Sequence, residues 1–399
     1  MPRLLFITER FPPDIGGLAA SSLRIASSLA RLSIDVDVFA WSRHVPAGRF
    51  VEQTLAENLP ANLKVYRQGL YRQWDMTMQS TMSVLEWFNQ QHKYDVVWGH
   101  YLQAASFLAV WFAELHGIKS TVSARGNDID SDIFPGGDLS RLLWTLNRAG
   151  SVTAVSADIA KKIKVLSGKP NVEILPNVVD TTVFNATNEH SETLKSALGI
   201  QSGEIVLGFS GELRQKKGIE FLLDALRQVR SHTPCCLLVI GDARANQQTE
   251  IQLYAAEHPQ DFERLIITGH LPDAAAVAAH LSVCDFYLQP SIAEGMPNAL
   301  LEAMSCSRVC IASDAGGIPE VIKHGENGFI LPRAQLNHLG TAVIEAIELD
   351  SETRTRISAG ARATIETSYS LAQESLQLER FIGELLSSSS YESNSNLPV

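Results

Sequence analysis

The chain has 399 residues, of which 45% are hydrophobic and 19% are charged, and its formal net charge is −11. This length exceeds one compact core and predicts two domains, and the composition is that of an ordinary soluble globular protein. The acidic balance argues against nucleic acid as the main partner. Residues 1–185 hold 18 basic and 17 acidic side chains, whereas residues 186–399 hold 15 and 27. The first half is therefore the half that would approach an anionic membrane, although its excess of one positive charge is a weak signal.

All five cysteines lie in the second half, within apolar patterns: Cys235, Cys236, Cys284, Cys306 and Cys310. We expect buried free thiols in a reducing cytosol, and no metal site, because no histidine stands near Cys306 and Cys310. We predict no signal peptide, since the apolar run after Met1 is short and leads into a glycine loop. The nearly apolar run 104–113 is too short to span a bilayer. The sequence thus predicts a cytoplasmic protein.

The first half repeats a strand–helix–strand pattern. Residues 4–8 are predicted to form a buried strand, followed by a loop with Gly16 and Gly17, a helix over 19–32 and a strand over 35–40. The pattern recurs, with further strands predicted at 94–99, 120–124, 152–155 and 174–177 and a helix at 104–115. Such units build parallel sheets.

The second half restarts the same pattern after a polar linker at 185–203. Strands are predicted at 205–210, 236–241, 265–268, 285–289 and 309–312, and helices at 219–232, 247–257 and 371–386. The predicted fold class is therefore α/β with two Rossmann-like domains. We place their boundaries at 1–185 and 186–369, followed by a helix at 370–386 and a disordered, serine-rich tail at 387–399.

Two carboxylates flank a turn and helix start in the second half. Residues 294–302 read E-G-M-P-N-A-L-L-E, and Pro297 is predicted as the first position of a helix. Glu294 then lies in the loop before the helix and Glu302 inside it. A helix start binds anions through its free N–H groups, whereas the acids suit the hydroxyls of a ribose or a hexose. Together they favour a nucleotide-sugar site, although this spacing alone also fits an ordinary capped helix.

This run and four other segments, in the same order, resemble the family-4 retaining glycosyltransferases of the GT-B fold. The other segments are FPPDIGG at 11–17, LPNVVD at 175–180, the loop 211–218, and ASDAGGIPEVI at 312–322 with GENG at 325–328. The resemblance covers nearly the whole chain. It implies two Rossmann-like domains whose parallel sheets face each other across a cleft, with the C-terminal helix returning to the first domain.

The resemblance implies roles for the residues of the acidic run. Glu294 would accept hydrogen bonds from the donor sugar, and Glu302 from the ribose. The turn between them would complete the donor site, the sugar being contacted by main-chain N–H groups of Met296 and Asn298. The residues of this turn are Gly295, Met296, Pro297 and Asn298.

Two glycine-containing loops complete the donor site that the resemblance implies. Gly16 and Gly17 would bring bare N–H groups to the phosphates, although one Gly-Gly pair is also ordinary turn chemistry. The nucleotide base is expected against Gly269, His270 and Leu271, where His270 is equally well interpreted as a plain exposed side chain.

The loop that begins at Gly211 departs from the family pattern. Members usually have an arginine directly after the glycine and a lysine six positions after it, to bind the diphosphate and stabilise the leaving group. Lys217 matches the lysine, but Glu212 stands where the arginine is expected. Arg214 is the natural substitute, with Lys216 as a second candidate. The alternative is that Arg214 and Lys216 are solvated loop charges.

Arg125 marks a second departure, because the family commonly has a histidine there that touches the donor sugar, with an acid at the position of Asp128. Arginine cannot serve as a base, but it could hydrogen-bond the hexose or the diphosphate. In same-face retaining transfer the leaving diphosphate takes the acceptor proton, so no protein base is essential. An Arg125–Asp128 structural pair is the alternative. Further motif matches have open roles: His100, Asn177 and Asp180.

The resemblance therefore implies a metal-independent retaining glycosyltransferase without a cofactor. UDP-glucose is the preferred donor and GDP-mannose an alternative, and the acceptor is a polysaccharide or a lipid-linked oligosaccharide. Peripheral contact of the N-terminal domain with the inner face of the plasma membrane belongs to this expectation. Two other interpretations stay open: a nucleotide-sugar 2-epimerase, and a catalytically degenerate subunit that binds nucleotide-sugars.

Overall fold

The computed structural model describes residues 1–54, 59–130, 136–186, 191–244 and 247–387. Contacts divide the chain into unit 1, Met1–Pro176 with Glu374–Val399, and unit 2, Asn177–Gln373. The boundary after Pro176 comes earlier than the one that we predicted after residue 185. The reason is that the Asn177 amide donates to the carbonyl of Met296 at 2.7 Å, within unit 2. Apart from Ser387, the predicted tail lies outside the described residues.

Unit 1 is built on an eight-stranded sheet. Its strands are β1 (Arg3–Thr8), β2 (Asp35–Ala47), β3 (Phe50–Gln53), β4 (Leu63–Gly69), β5 (Val96–His100), β6 (Lys119–Ala124), β7 (Ser151–Ala154) and β8 (Glu173–Ile174). Its first six helices are α1 (Gly17–Arg31), α2 (Trp74–Gln91), α3 (Ala104–His116), α4 (Asn127–Asp130), α5 (Gly136–Arg148) and α6 (Ala157–Ser167). The strand order is β3-β4-β2-β1-β5-β6-β7-β8, and only the β3–β4 pair is antiparallel.

Strand β1 shows why this sheet is covered on both faces. Successive side chains of a strand point to opposite faces. Leu4 and Phe6 join the core that packs under α1, whereas Leu5 and Ile7 join the core under α2 and α3. All four are at most 1% exposed. A continuous apolar run is therefore what a parallel strand between two helical layers requires.

Unit 2 has a six-stranded, fully parallel sheet of order β11-β10-β9-β12-β13-β14. The strands are β9 (Ile205–Ser210), β10 (Cys235–Ile240), β11 (Leu265–Ile267), β12 (Phe286–Gln289), β13 (Val309–Ser313) and β14 (Phe329–Leu331). The helices are α7 (Ser191–Ala197), α8 (Ile219–Arg230), α9 (Gln248–Glu257), α10 (Pro259–Phe262), α11 (Ala274–Ser282), α12 (Asn298–Ser305), α13 (Ile318–Val321), α14 (Leu339–Glu348) and α15 (Ser351–Ser368). Helix α7 lies inside the segment predicted as a linker. The predicted α/β class with two parallel-sheet units is confirmed.

The C-terminal helix, α16 (Leu371–Ser387), returns to unit 1 as predicted. Its Leu378, Phe381 and Ile382 belong to the core under α1, and the ring of Phe381 lies 5.6 Å from that of Trp98, edge to face. At the start of this contact the Glu374 carboxylate accepts hydrogen bonds from Arg24 and, at 3.0 Å, from the hydroxyl of Ser28. Apolar packing and a buried ion pair therefore both fix α16 to α1.

The described residues bear on two predictions, the state of the cysteines and the presence of a membrane span. All five cysteines are buried and unpaired, which agrees with the predicted free thiols. Among the helices that the structure describes, none is both long enough and apolar enough to cross a bilayer.

Replacing Phe381 by alanine tests the packing of α16. We expect the change to lower the stability of unit 1 by about 3–5 kcal/mol, because it removes a buried aromatic ring and leaves a cavity. Urea unfolding followed by tryptophan fluorescence measures this, since Trp98 touches the ring. Leu376, on the same helix and 60% exposed, gives the control Leu376→Ala, expected within about 0.5 kcal/mol of wild type. Equal losses in the two variants would contradict the packing described for α16.

Candidate functional site

The candidate site of unit 2 lies where the strand order reverses. From β9 the chain proceeds to β10 and β11 on one side, and β12, β13 and β14 follow on the other side of β9. Crevices beside the carboxyl ends of the strands at such a reversal are the usual ligand sites of open α/β sheets. The loop 211–218 follows β9 and the loop 290–297 follows β12, so both predicted donor loops reach this point.

These two loops are held against each other by their backbones. The N–H of Ile292 donates to the carbonyl of Lys216 at 2.9 Å. Gly218 has a φ of 76°, and a Cβ on it would lie 2.1 Å from the carbonyl oxygen of Pro290. Only glycine satisfies both the left-handed conformation and the close approach. The end of the loop 211–218 therefore lies directly beside the start of the loop 290–297.

Lys217 and Glu294 form a buried ion pair across this contact. Glu294 is 7% exposed, and its Oε1 accepts from the Lys217 ammonium, from Ser291 Oγ at 2.7 Å and from Gln289 Nε2 at 3.1 Å. Its Oε2 accepts no hydrogen bond from any residue in the described ranges. Burial alone raises the pKa of Glu294, but Lys217 and Ser291 outweigh it and lower the net pKa below the ordinary value. Glu294 is therefore an ionised carboxylate with one oxygen left to accept from a ligand.

The turn after Glu294 offers backbone donors. The N–H groups of Gly295, Met296 and Asn298 donate no hydrogen bond to any residue that the structure describes, and the Asn298 side-chain oxygen is buried without a partner. Helix α12 begins at Asn298, with Pro297 as the residue that precedes it, one position later than predicted. In the described structure these N–H groups are left to donate hydrogen bonds to an anion or to a sugar oxygen.

Glu302 lies on α12, and its carboxylate makes no hydrogen bond or ion pair within the described ranges. Burial raises its pKa from 4.5 to about 7. A largely buried carboxylate without partners is a strong hydrogen-bond acceptor, because the low dielectric of its surroundings strengthens any bond that it forms. This environment suits the predicted role towards ribose hydroxyls.

Glu212, which occupies the arginine position of the family, is engaged locally. Its carboxylate accepts from Nε of Arg244 at 2.8 Å and lies 3.9 Å from Nη1 of Arg214. Arg214 keeps a buried Nε–H without a hydrogen-bond partner in the described part of the chain. Arg214 therefore has donor capacity left at the carboxyl edge of the sheet.

The predicted base loop follows β11, the edge strand of this sheet. His270 is exposed, and the Thr268 hydroxyl donates to the carbonyl of Gly269 at 2.8 Å while accepting from the N–H of Gly241 at 3.1 Å. The loop is thereby tied to the end of β10. The roles assigned to Gly269, His270 and Leu271 stay predictions.

Unit 1 holds Arg125 at the carboxyl end of β6. The backbone N–H of Arg125 donates to both oxygens of Asp128 at 3.0 Å, and Asp128 also accepts from the N–H groups of Leu102 and Gly126. Burial raises the pKa of Asp128 to about 6 and lowers that of Arg125 to about 10. Asp128 therefore organises the loop through main-chain bonds.

His100 and Gly16 lie at the carboxyl edge of the same sheet. His100 is fully buried, its Nε2 lies 3.0 Å from Ser21 Oγ, and its Nδ1 has no partner among the described residues. Burial, with Arg125 and Arg24 nearby, lowers the pKa of His100, so the ring is neutral. Gly16 precedes α1 with a φ of 127°, and Gly17 is the first residue of that helix. The donor roles of Gly16, Gly17 and Arg125 stay predictions.

The remaining motif matches have structural partners. The Asn177 amide holds the carbonyl of Met296, as described above, and so supports the turn that follows Glu294. Asp180 accepts from the N–H and the hydroxyl of Thr182, at 2.9 and 2.6 Å, which is a turn role. In the described ranges no three or more His, Cys, Asp or Glu side chains group as metal ligands would.

Sequence reasoning missed the residues that orient Glu294. Gln289 ends β12 and Ser291 follows two positions later, so in extended chain they lie on the same side as the site. Both are fully buried polar side chains. The glutamine at the end of an otherwise apolar strand is the sequence signal that could have indicated a polar site there.

Comparison with known proteins agrees with this architecture. Residues 16–178 match the family model described as a glycosyl transferase 4-like domain, and residues 204–348 match the one described as glycosyl transferases group 1. The chain is 25% identical over 364 residues to the N-acetyl-alpha-D-glucosaminyl L-malate synthase of Bacillus anthracis, covering 88% of this chain and 90% of the relative. It is 24% identical over 382 residues to a GDP-mannose-dependent phosphatidylinositol monomannoside mannosyltransferase of Corynebacterium glutamicum, covering 92% and 94%.

Solved structures show the same fold. Sucrose-phosphate synthase from Thermosynechococcus elongatus superposes with a TM-score of 0.80 at 17% identity, covering 97% of this chain and all of that one. Anabaena HepE, solved in complex with UDP and glucose, superposes with a TM-score of 0.77 at 19% identity, covering 96% and 100%. The chain belongs to the family-4, group 1 glycosyltransferases and has the GT-B fold.

The pKa of Glu302 gives a pH test of its burial. Between about pH 4.5 and 7 the folded chain holds a proton that the unfolded chain has lost, so this group makes the fold less stable as pH rises through that window. Glu302→Gln removes the effect. The variant should therefore gain melting temperature over wild type by little at about pH 5 and by more at about pH 8. The exposed Glu257 of α9 gives the control Glu257→Gln, and a gain for Glu302→Gln that does not change with pH would refute the burial effect.

Proposed function

We propose that this glycosyltransferase transfers a hexose from a nucleotide diphosphate donor, with UDP-glucose favoured, to a hydroxyl of a polysaccharide or lipid-linked oligosaccharide. The observation that carries the proposal is the bonding of Glu294. Every donor to it among the described residues reaches Oε1, which fixes the carboxylate and leaves Oε2 to accept from a sugar hydroxyl. The proposed location is the cytoplasm, with peripheral contact at the inner face of the plasma membrane.

The proposed donor contacts follow from the groups of unit 2. Glu302 would accept from the ribose hydroxyls, because its carboxylate is largely buried and has no partner within the described part of the chain. The N–H groups of Met296 and Asn298 would bind the sugar, as the resemblance implies. Arg214 and Lys217 would place positive charge beside the diphosphate, so that the proposal assigns this charge to side chains and requires no metal ion.

The proposed reaction retains the configuration at the anomeric carbon. The bond from the anomeric carbon to the diphosphate oxygen breaks, and the acceptor oxygen bonds to that carbon on the same face. The proton of the acceptor hydroxyl passes to the departing diphosphate oxygen. Negative charge grows on the diphosphate as the bond breaks, and cationic side chains and helix-start N–H groups fixed in advance stabilise that charge in the transition state.

A nucleotide screen by thermal shift tests the donor assignment. A ligand at 100 times its Kd stabilises the fold by about 2.7 kcal/mol, so UDP and UDP-glucose should raise the melting temperature. GDP and GDP-mannose are the competing pair, because the Corynebacterium relative is GDP-mannose-dependent. A larger shift with the guanine nucleotides would overturn the uridine assignment.

Glu302→Ala should weaken UDP binding by about 1.5–3 kcal/mol through the lost charged acceptor, whereas Glu257→Ala should not.

Arg214 gives a test of the diphosphate contact. Arg214→Ala should weaken UDP binding about tenfold, because one charge-assisted hydrogen bond to the second phosphate is lost. UMP lacks that phosphate and should bind the variant and wild type alike. Calorimetry with both nucleotides separates the phosphate contact from the base contact. Arg356, exposed on α15, gives the matched control Arg356→Ala. Wild-type UDP affinity in Arg214→Ala would leave Arg214 as a solvated loop charge.

A further inference from the structure

Four exposed arginines lie at the carboxyl edge of the sheet in the described part of unit 1. Arg10 follows β1, Arg43 lies in the last part of β2, Arg49 is in the turn between β2 and β3, and Arg72 follows β4. All four are exposed. None of their guanidinium groups makes an ion pair or a hydrogen bond with any part of the chain that the structure describes. We refer to these four residues as the arginine cluster.

Arg67 of β4 lies at the same edge but, unlike the arginine cluster, it is buried and hydrogen-bonded. Arg67 is 5% exposed, and its donors are used within the fold. They reach Gln53 Oε1 at 2.8 Å, Asp14 Oδ2 at 3.0 Å, the carbonyl of Trp41 at 3.2 Å and the carbonyls of Phe11 and Pro12. This residue therefore fixes the loop after β1 over the ends of β2, β3 and β4.

Contacts between the loops bring three members of the arginine cluster, Arg43, Arg49 and Arg72, to the same place. The N–H of Gly69 donates to the carbonyl of Arg49 at 2.9 Å, and the N–H of Leu70 to that of Ser42 at 3.4 Å. A Cβ on Gly48 would lie 2.1 Å from the hydroxyl of Tyr71, so the β2–β3 turn packs directly on that ring. Arg43, Arg49 and Arg72 consequently flank a single surface formed by the ends of β2 and β4.

An aromatic platform lies beside this charge. Trp74 opens α2 and is 40% exposed, and its ring lies 5.1 Å from the ring of buried Trp41, edge to face. The N–H of Tyr71 donates to Thr77 Oγ1 at 3.0 Å, which ties the loop after β4 to the first turn of α2. An exposed, well-supported indole offers an apolar face to the ring of a sugar and an N–H to its oxygens.

The charge balance of this surface favours an anion. Glu52 and Asp75 are its exposed carboxylates, and Asp14 is held by Arg67. The arginine cluster adds four guanidinium groups that have no partner among the described residues, and His44, next to Arg43 in the sequence, is also exposed. Guanidinium groups bind phosphate oxygens through paired, charge-assisted hydrogen bonds. A phosphate group next to a sugar ring is therefore the chemistry that this surface fits.

We propose that the arginine cluster and Trp74 bind a phosphate-bearing sugar or polyol, which is the acceptor of the transfer reaction. This inference rests on the proposed function, because it assigns the surface to the acceptor side of that reaction. It narrows the acceptor to an anionic one. The phosphate positions the acceptor through the arginines, and the indole covers one face of its ring.

Binding of phosphorylated probes to the full chain tests the proposal without a donor. Glucose 6-phosphate and glycerol 3-phosphate are compared with glucose and glycerol by calorimetry at low ionic strength. We expect the phosphorylated probes to bind wild type at least about tenfold more tightly, and added salt to reduce that preference. The triple variant Arg43→Gln, Arg49→Gln, Arg72→Gln should lose the preference.

A second triple variant controls for net charge. Arg31→Gln, Lys93→Gln and Lys164→Gln remove the same charge from exposed positions of unit 1 outside the cluster. This variant should keep the wild-type preference. UDP affinity should stay within about twofold of wild type in both variants, which verifies that each chain is folded. Absence of a phosphate preference in wild type, or its persistence in the cluster variant, would overturn the proposal.

Three further outcomes distinguish a membrane phosphate from a soluble one, and the acceptor assignment from the proposed function. The first uses vesicles of equimolar phosphatidylcholine and phosphatidylglycerol. If wild type sediments with these vesicles, the cluster variant does not, and no soluble probe binds, then the cluster is a membrane contact and the acceptor assignment is overturned. A wild-type chain that binds no nucleotide would refute the proposed function itself. Nucleotide binding without any effect of the cluster variant on the probes would refute the acceptor inference alone.

Discussion

The candidate site of unit 2 depends on the buried ion pair between Lys217 and Glu294. Taking two charges out of water is costly, and removing one partner would leave the other uncompensated. Ser291 and Gln289 offset this cost with hydrogen bonds to the same carboxylate oxygen. The close approach of Gly218 to Pro290 fixes the distance between the two loops. The ion pair and this close approach together hold the two loops, and the donors on Oε1 leave the second carboxylate oxygen to a ligand.

Parallel strand pairing explains why the ion pair forms at that place. Every strand of unit 2 delivers its carboxyl end to one edge of the sheet, and the strand order reverses between β9 and β12, which is where open α/β sheets usually bind ligands. Unit 1 repeats this arrangement between β1 and β5, where Gly16 and His100 lie. Chemistry-bearing residues are therefore gathered by topology, although they are far apart in the sequence.

The parts predicted from sequence are those whose signal is local. Strand β9, for example, is a continuous apolar run because both its faces are covered, and its short length between turn residues predicts a strand. The segment that forms β3, β4 and α2 was not predicted. The exposed side of α2 carries apolar residues such as Trp87 as well as polar ones, so the helix has no apolar stripe that a sequence pattern would reveal. The Lys217–Glu294 pair was also missed. Its members are separated by 77 residues, and only the fold brings them together.

The backbone beside Glu212 explains how the chain accommodates this departure from the family pattern. Leu213 forms a parallel bridge with Ala243, so the loop after β9 continues alongside the loop after β10. In extended chain, positions 212 and 214 point to the same side. Glu212 is thereby placed between Arg214 and Arg244. The three side chains together keep one net positive charge, as the single arginine of the family does. Electrostatically, the substitution is compensated by a neighbour that the linear motif does not include.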